Sequence, residues 1–510
     1  METGFVPDAA DRVILAGRIL KHRDDGNIGF IENGFLAIRG DEIVALGRQD
    51  ELGHCPQAEC YPDHVVMPGF VNGHHHVGMT PLQMGSPDLP LELWIAAGAA
   101  RRALDPYLDT LVSAFEMIRS GVTTVQHIQT PFPGNAERVH AVAAEVLRAY
   151  EDVGMRASIC INARDQSRLT HRPDAEFVAT LPPSLQPQVA AFIAQRTMDA
   201  DDYLGVFRDL YEQARGSPRL AVQLAPANLH WCSDAMLRAF EETSQKYRVP
   251  MHMHLLETAY QAEYARNRTG TSAIRHLDRL GLLTPRMTLG HGVWVDEDDI
   301  DLIAERGVCI CHNCSSNMRL GSGRAPVSAY LARKVTVGLG IDEAGINDDR
   351  DMLLEMRLVL YSHRLPGHDR SWLTASDVLR MATLGGAATT PFAAGIGKLV
   401  PGAKADFTVV DWHRLTYPYQ DARIPTENVL VQRMKPTSVA AVYIAGEKVL
   451  SDGRMLKIDP AEIYREIAER LSRPRSEIER LAARMADEIL PHVRRSYSDY
   501  SPPCHRPHIE

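Results

Sequence analysis

The sequence predicts an α/β protein: a (β/α)8 barrel of the TIM type, a small β-sandwich built from the barrel's two flanks, and a helical tail. Three observations predict it. Between residues 65 and 394, apolar strand-like runs alternate with longer helical segments, the pattern of parallel βαβ units. Eight such units can be counted. The stretches on either side share one texture, short strands punctuated by Gly-Asp turns.

Residues 1–64 contain "VILAGRIL" and "GFLAIRGDEIVALG", and residues 395–458 return to the same pattern in "GKLVPGAKADFTVVDW" and "SVAAVYIAGEKVLSDGRML". The two flanks are expected to pair into one sandwich that the barrel splits in sequence. The eight barrel strands should end near "VNGHHH", "TTVQHI", "SICINA", "VQLAPAN", "PMHMHL", "TLGHGV", "VCICHN" and "VGLGID". Helical segments follow them, among them "PYLDTLVSAFEMIRSG", "SDAMLRAFEETSQKY" and "DEDDIDLIAERG". A barrel of this kind places its chemistry at the carboxyl ends of the strands. Residues 459–510 form a helical extension with two apolar stripes at helical spacing, Ile463, Ile467 and Leu471, then Ile478, Leu481, Met485 and Ile489. Pro474 separates the two, and the stripes are expected to pack on the barrel or on a neighbouring subunit. The final "SPPCHRPHIE" reads as irregular, with His505 and His508 solvated.

A chain of 510 residues has room for a large core and a second, smaller domain. Its formal net charge of -10 argues against nucleic acid or an anionic membrane as a partner. No basic amino terminus leads into an apolar stretch, and no apolar run is long enough for a bilayer, so a soluble cytoplasmic protein is expected. Eight cysteines at irregular spacing do not make a disulfide framework. "CICHNC", Cys309 to Cys314, suggests a thiolate zinc site with His312. No second cysteine pair follows and the run is apolar, so buried free thiols are the expected reading.

The polar residues at the predicted strand ends carry the chemistry. In an extended strand alternate side chains share a face, so His74 and His76 point one way and His75 the other. Strand five ends in "HMHLLET", which supplies His252, His254 and Glu257; strand six ends in His291, strand seven in His312 and strand eight in Asp342. Imidazole and carboxylate groups converging on one barrel mouth suit a borderline metal such as zinc or ferrous iron.

The blocks "PGFVNGHHH", "HLLET", "LGHGV", "HNCSSNMRLGSGRAPV" and "GIDEAGINDDRDMLLEMRL" resemble the signatures of the amidohydrolase superfamily. The similar branch holds the triazine hydrolases, the adenosine/S-adenosylhomocysteine-type deaminases and guanine deaminase; "DLPLELW" and "GKLVPGAKADFTVVD" add to the likeness, which runs to about residue 455. The resemblance implies that His74, His76, His254 and Asp342 bind one divalent metal, zinc before iron. It gives His252 a supporting or packing role. Two-metal relatives carry a carboxylated lysine at the end of strand four; "LAVQLAPAN" has none, which favours a mononuclear site. The implied catalytic residues are Glu257, carrying a proton to a heterocycle nitrogen, Asp342, accepting a proton from water, and His291, hydrogen-bonding the nucleophile and the oxyanion. Asn313 and Asn317 are expected to tie the strand-seven loop together with His312 as their partner. Asn347 and Asp348 read as caps for the helix that follows.

Gln83, Trp94, Arg164, His230, Trp231 and Glu343 lie on loops that could line a substrate pocket. Relatives often carry arginine at Gln83 and glycine at Glu343, and nucleoside-type deaminases tend to have histidine near Ala227. These departures surround the substrate and leave its identity open, although a carboxylate at Glu343 points toward a cationic or amino-rich ligand. The expected activity is hydrolytic deamination of a small nitrogen heterocycle by a homodimer or larger homo-oligomer. The alternatives are expulsion of chloride or an alkylamine from a triazine-like ring, and a non-catalytic scaffold on the same fold.

Overall fold

The computed structural model describes residues 10–23, 27–130, 134–364, 368 and 373–500; His505 and His508 lie outside them. The first flank contributes β1 (Arg12–His22), β2 (Ile28–Arg39), β3 (Glu42–Arg48) and β4 (Glu59–Pro68). The barrel strands are β5 (Phe70–His75), β6 (Val122–Gln129), β7 (Arg156–Ala163), β8 (Leu220–Val222) with the short β9 (Ala225–Pro226), β10 (Met251–Leu255), β11 (Met287–His291), β12 (Cys309–His312) and β13 (Val337–Leu339). The second flank adds β14 (Phe407–Asp411), β15 (Val439–Ile444), β16 (Glu447–Ser451) and β17 (Arg454–Met455).

All barrel pairings are parallel, in two runs, β5-β6-β7-β8 and β10-β11-β12-β13. Single bridges Leu224–Met251 and His75–Asp342 close the ring. β6, β7, β10 and β11 are buried along their whole length. Both faces are therefore covered, and the polar side chains they carry, such as those of "VTTVQHIQ" and "MHMHL", point into the protein rather than to solvent. The surrounding helices begin where their caps stand: Asp105 before Pro106–Arg119, Ser233 before Asp234–Tyr247, and Asp296 in a capping box before Glu297–Glu305.

The flanks form one continuous eight-stranded sheet in the order β17-β16-β15-β14-β4-β1-β2-β3. The two halves of the sequence meet at the antiparallel β4–β14 pair, with Val66 opposite Val409 and Pro68 opposite Phe407. Side chains from both halves, among them Ile14, Leu36, Ile43, Val66, Phe407 and Tyr443, fill a single core. This is the form the expected sandwich takes. Arg156, the first residue of β7, bonds bidentately to Asp406 beside β14, at 2.6 and 3.0 Å.

The tail folds back on the barrel. Helix Pro460–Ser472 places Ile467 against Leu108 and Val112. Helix Glu477–Ser496 buries Met485, Ile489 and Val493 against Leu93, Phe177 and Val189. Its predicted stripe starts late: Ile478 is 79% and Leu481 46% exposed, and the buried face runs on to Val493 instead. No helix among the described residues is long and apolar enough to cross a membrane.

Candidate active site

The carboxyl ends of β5, β10, β11 and β13 bring the predicted polar residues together. His74 and His76 share a face, as strand alternation requires. Their Nε2 atoms lie 3.0 Å apart, and His76 Nε2 is 3.1 Å from His254 Nε2. Asp342 Oδ1 stands 3.5 Å from His74 Nε2 and 3.3 Å from His76 Nε2. The outer ring nitrogens are engaged elsewhere. His76 Nδ1 donates to the carbonyl of Ile128 at 2.7 Å and His254 Nδ1 to that of Ala227 at 3.1 Å. A carbonyl can only accept, so both rings carry their proton on Nδ1 and turn an Nε2 lone pair inward. His74 Nδ1 meets His252 Nε2 at 2.9 Å, which makes His252 the support of a cluster member.

Burial lowers the His74 pKa to about 4 and holds that of His254 well below the ordinary histidine value. Burial alone would raise Asp342; the imidazoles of His74, His76 and His291 instead hold it well below the usual carboxylate range. Lone pairs and an ionised carboxylate facing one point repel each other unless a cation lies among them. The donor set therefore fits a divalent metal, with nitrogen and oxygen ligands of the zinc type. Gln223, beyond β8, bonds the carbonyl of Thr389, and strand four adds no ionisable group to the cluster.

The backbone aims these groups at some cost. Leu256, His291 and Asp342 take positive φ values of 52°, 72° and 62°. Each such non-glycine residue costs about 1–2 kcal/mol. Gly340 is required by close approach, since a Cβ there would lie 2.3 Å from Asn313 Oδ1 and 2.5 Å from His74 Cβ. His291 Nδ1 bonds Asn317 Oδ1 at 2.8 Å, and Asn313 Nδ2 lies 3.3 Å from its Nε2. That Nε2 faces Glu257 Oε2 at 3.7 Å and Asp342 Oδ2 at 3.8 Å. Ser316 donates to Asp342 Oδ2 at 2.6 Å. Burial pushes Glu257 up to about 7, with Ser322 donating to its Oε1 at 3.3 Å.

Other expected roles fall differently. His312 pairs with His363 Nε2 at 3.0 Å and not with the two asparagines. The helix Met352–Ser362 is capped by Asp351; Asp348 instead accepts from Thr80 Oγ1 at 2.7 Å and from Arg319 at 3.0 Å. His75 is fully buried on the far face, its ring 5.3 Å from that of His127.

The cluster opens into a cavity of about 300 Å³ lined by Trp94, Arg164, Trp231 and Glu343 of the anticipated pocket residues. Gln83 and His230 do not line it. Gln83 is exposed and closes a turn with Thr80 (3.0 and 3.1 Å), and His230 packs behind, 4.3 Å from the His171 ring. Glu343 is paired with Arg101 at 3.5 Å, which removes the argument that it awaits a cationic ligand. Sequence reasoning missed Arg101, Arg168 and Arg196 in the wall. They sit in helix ends and long connections where no local pattern points inward. Arg168 pairs with Asp174, and its Nε and Nη2 hold the carbonyls of Arg196 and Arg164 at 3.2 and 3.1 Å. Arg164 stacks 4.6 Å from the Trp231 ring and Arg196 3.7 Å from that of Phe192. Among the described residues neither has a carboxylate within ion-pair distance. Burial, with the Arg164 charge adding to it, lowers Arg196 to about 10.

Residues 65–449 match the model of the amidohydrolase family. A 5-methylthioadenosine/S-adenosylhomocysteine deaminase from Nitratidesulfovibrio vulgaris is 31% identical over 437 residues, 84% of this chain and 90% of its own. An adenosine deaminase from Xanthomonas campestris, solved with bound zinc, superposes with a TM-score of 0.75 at 26% identity, over 91% of this chain and 99% of that one. An atrazine chlorohydrolase from Arthrobacter aurescens complexed with zinc shares the fold, with a TM-score of 0.77 at 21% identity over 89% and 99% of the two chains. With more than half of its length matched to the family model, the chain belongs to the amidohydrolase family.

Proposed function

We propose that the protein is a metal-dependent hydrolytic deaminase of an amino-substituted nitrogen heterocycle. The observation that carries this is the convergence of three imidazole Nε2 atoms and the Asp342 carboxylate beside Glu257 and His291, at the floor of a cavity of drug-like size. The names of the relatives support it, and the zinc in two structural neighbours supports zinc as the metal. His74, His76, His254 and Asp342 would hold it. A divalent cation there lowers the pKa of water in the site, toward about 7 for zinc.

The side chains divide the remaining work. Glu257, protonated up to about pH 7, gives its proton to a ring nitrogen and leaves the adjacent carbon electrophilic. Asp342, an acceptor at neutral pH, takes a proton from the attacking water. His291 Nδ1 donates to Asn317, so its Nε2, which faces both carboxylates, donates to the oxygen as negative charge develops there when the ring carries a second proton. The proton held by Asp342 passes to the amine, the carbon–nitrogen bond breaks and ammonia leaves; the hydroxyl proton returns to Glu257, and the ring nitrogen keeps the proton it received. Arg164 and Arg196, two cations in one wall without an acid partner among the described residues, select a ring whose substituent carries a carboxylate or phosphate. The exposed Ile478 and Leu481 offer an apolar contact for a homo-oligomer, which light scattering would read.

The test is ammonia release by the zinc-loaded protein across aminopurines, aminopyrimidines, pterins and aminotriazines, each with neutral and anionic substituents. Turnover lost in Glu257→Gln, with metal retained, is the expected result. Normal activity in that variant would remove Glu257 from its role. Release of chloride or an alkylamine without ammonia would replace deamination with the triazine-type reaction.

A further inference from the structure

We propose that His312, Cys314 and His363 form a second metal centre, structural in role and of the zinc class, behind the barrel wall. The three side chains come from the end of β12, from the helix Cys314–Arg319 and from the residue that ends the helix Met352–Ser362. All three are buried, at 1%, 3% and 4% exposure, and their ligand atoms lie within 4.8 Å of one another. The Nε2 atoms of His312 and His363 are 3.0 Å apart. Two nitrogens at zinc distances on a tetrahedral ion stand about 3.3 Å apart, so only a small opening of the pair admits the ion. Ser362 Oγ, 3.2 Å from Cys314 Sγ, marks the direction of a fourth position.

A hydrogen-bonded imidazole pair alone explains less. It uses one proton and gives no reason for a thiol to face the same point. One sulfur and two imidazole nitrogens are a donor set for zinc, chemically unlike the oxygen-containing set in the barrel mouth. Binding would release the Cys314 thiol proton to solvent and leave a thiolate on the ion. The consequence reaches the barrel mouth through one residue. Asn313 lies between two of the ligands, and its Nδ2 is 3.3 Å from His291 Nε2. A clamp on residues 312 and 314 therefore fixes the loop that orients His291.

Cobalt(II) reconstitution of the metal-free chain tests this. The expected result is two equivalents per chain and a near-ultraviolet sulfur-to-cobalt charge-transfer band, which the nitrogen and oxygen ligands of the barrel mouth cannot produce. Cys314→Ser should lose the band and one equivalent while circular dichroism stays native, and His363→Gln should lose the same equivalent. Cys311→Ser should keep both. A band with a single equivalent would support this centre and count against the metal in the barrel mouth. No band in the wild-type chain, or a band that survives Cys314→Ser, would overturn the proposal.

Discussion

The two ends of the barrel handle buried charge in opposite ways. At the amino-terminal end, where β7 meets the eight-stranded sheet, Arg156 and Asp406 are each 1% exposed and fully matched. The carboxylate also accepts the backbone N–H of Ala445 at 2.7 Å, and the guanidinium reaches the carbonyl of Pro218. At the carboxyl-terminal end, Arg164 and Arg196 share a wall with no acid partner among the described residues, three imidazole lone pairs face one carboxylate, and three non-glycine residues sit at positive φ. One end completes its own electrostatics and joins the barrel to the eight-stranded sheet. The other is left incomplete, and a metal and an anionic substrate would complete it. Substitutions at the two ends should therefore fail in different assays.

Glu257→Gln should show the largest effect, a loss of about 10²–10⁴-fold in kcat. Zinc content should be unchanged and the unfolding midpoint not lowered. A pH signature accompanies it. Burial raises Glu257 to about 7 from an unfolded value near 4.5, so the folded state binds the proton more tightly. Its contribution to stability is full below about pH 4.5 and is lost as pH rises through about 7. Other buried carboxyls such as Glu355 follow the same sign, so the comparison is between variants. The metal-free wild type should lose stability with pH more steeply than Glu257→Gln, by one proton's worth of slope. Parallel curves would show that Glu257 ionises normally.

At the opposite end, Asp406→Ala should leave Arg156 as an uncompensated buried charge and cost about 3–5 kcal/mol in urea unfolding. Protein that remains folded should keep its kcat. A variant that unfolds normally yet loses turnover would break the division between the two ends.

The polar cluster at the carboxyl-terminal end was legible in the sequence; the Arg156–Asp406 pair at the other end was not, and the illegible part has a physical pattern. His74, His76, Glu257 and His291 could be placed because strand alternation and strand ends are local properties. The eight-strand count needed only the alternation of apolar runs with capped helices. Asp351 took the cap expected of Asn347 and Asp348 because four residues of the polar run Asn347 to Asp351 satisfy the same local rule, and tertiary partners drew Asp348 to Thr80 and Arg319. The arginines of the cavity were illegible for a different reason. Arg196 follows the helix Gln186–Ala194 with no periodic signal, and only the Arg168 bonds to both neighbouring carbonyls turn that wall inward. The pairing of Glu343 with Arg101 was likewise invisible, since it joins residues from distant parts of the chain.

A smaller effect should separate substrate recognition from chemistry. Arg164→Met and Arg196→Met should each raise KM for carboxylate- or phosphate-bearing amino-heterocycles by about 10–100-fold, the value of one hydrogen bond to a charged group. Neutral analogues should change by less than about threefold, and kcat for either class should hold. Equal losses on neutral and anionic substrates would mean that these arginines shape the cavity without reading charge.

The smallest effect is the sharpest test of the contrast. In the ligand-free protein, Arg164→Met should change unfolding free energy by no more than about 0.5 kcal/mol, or should stabilise. Methionine keeps an apolar stem beside Trp231 and gives up only the stacking of the cation, worth about 0.5–1 kcal/mol at a partly exposed site. Against that, the change removes a positive charge that presses on Arg196 and has no carboxylate to answer it. Asp406→Ala exposes the opposite logic, because there the fold itself supplies the counter-ion. If Arg164→Met cost as much as Asp406→Ala, the Arg164 guanidinium would be a structural group already satisfied in the folded chain. The wall of the mouth would then be complete without a ligand, and the case for an anionic substrate would fall with it.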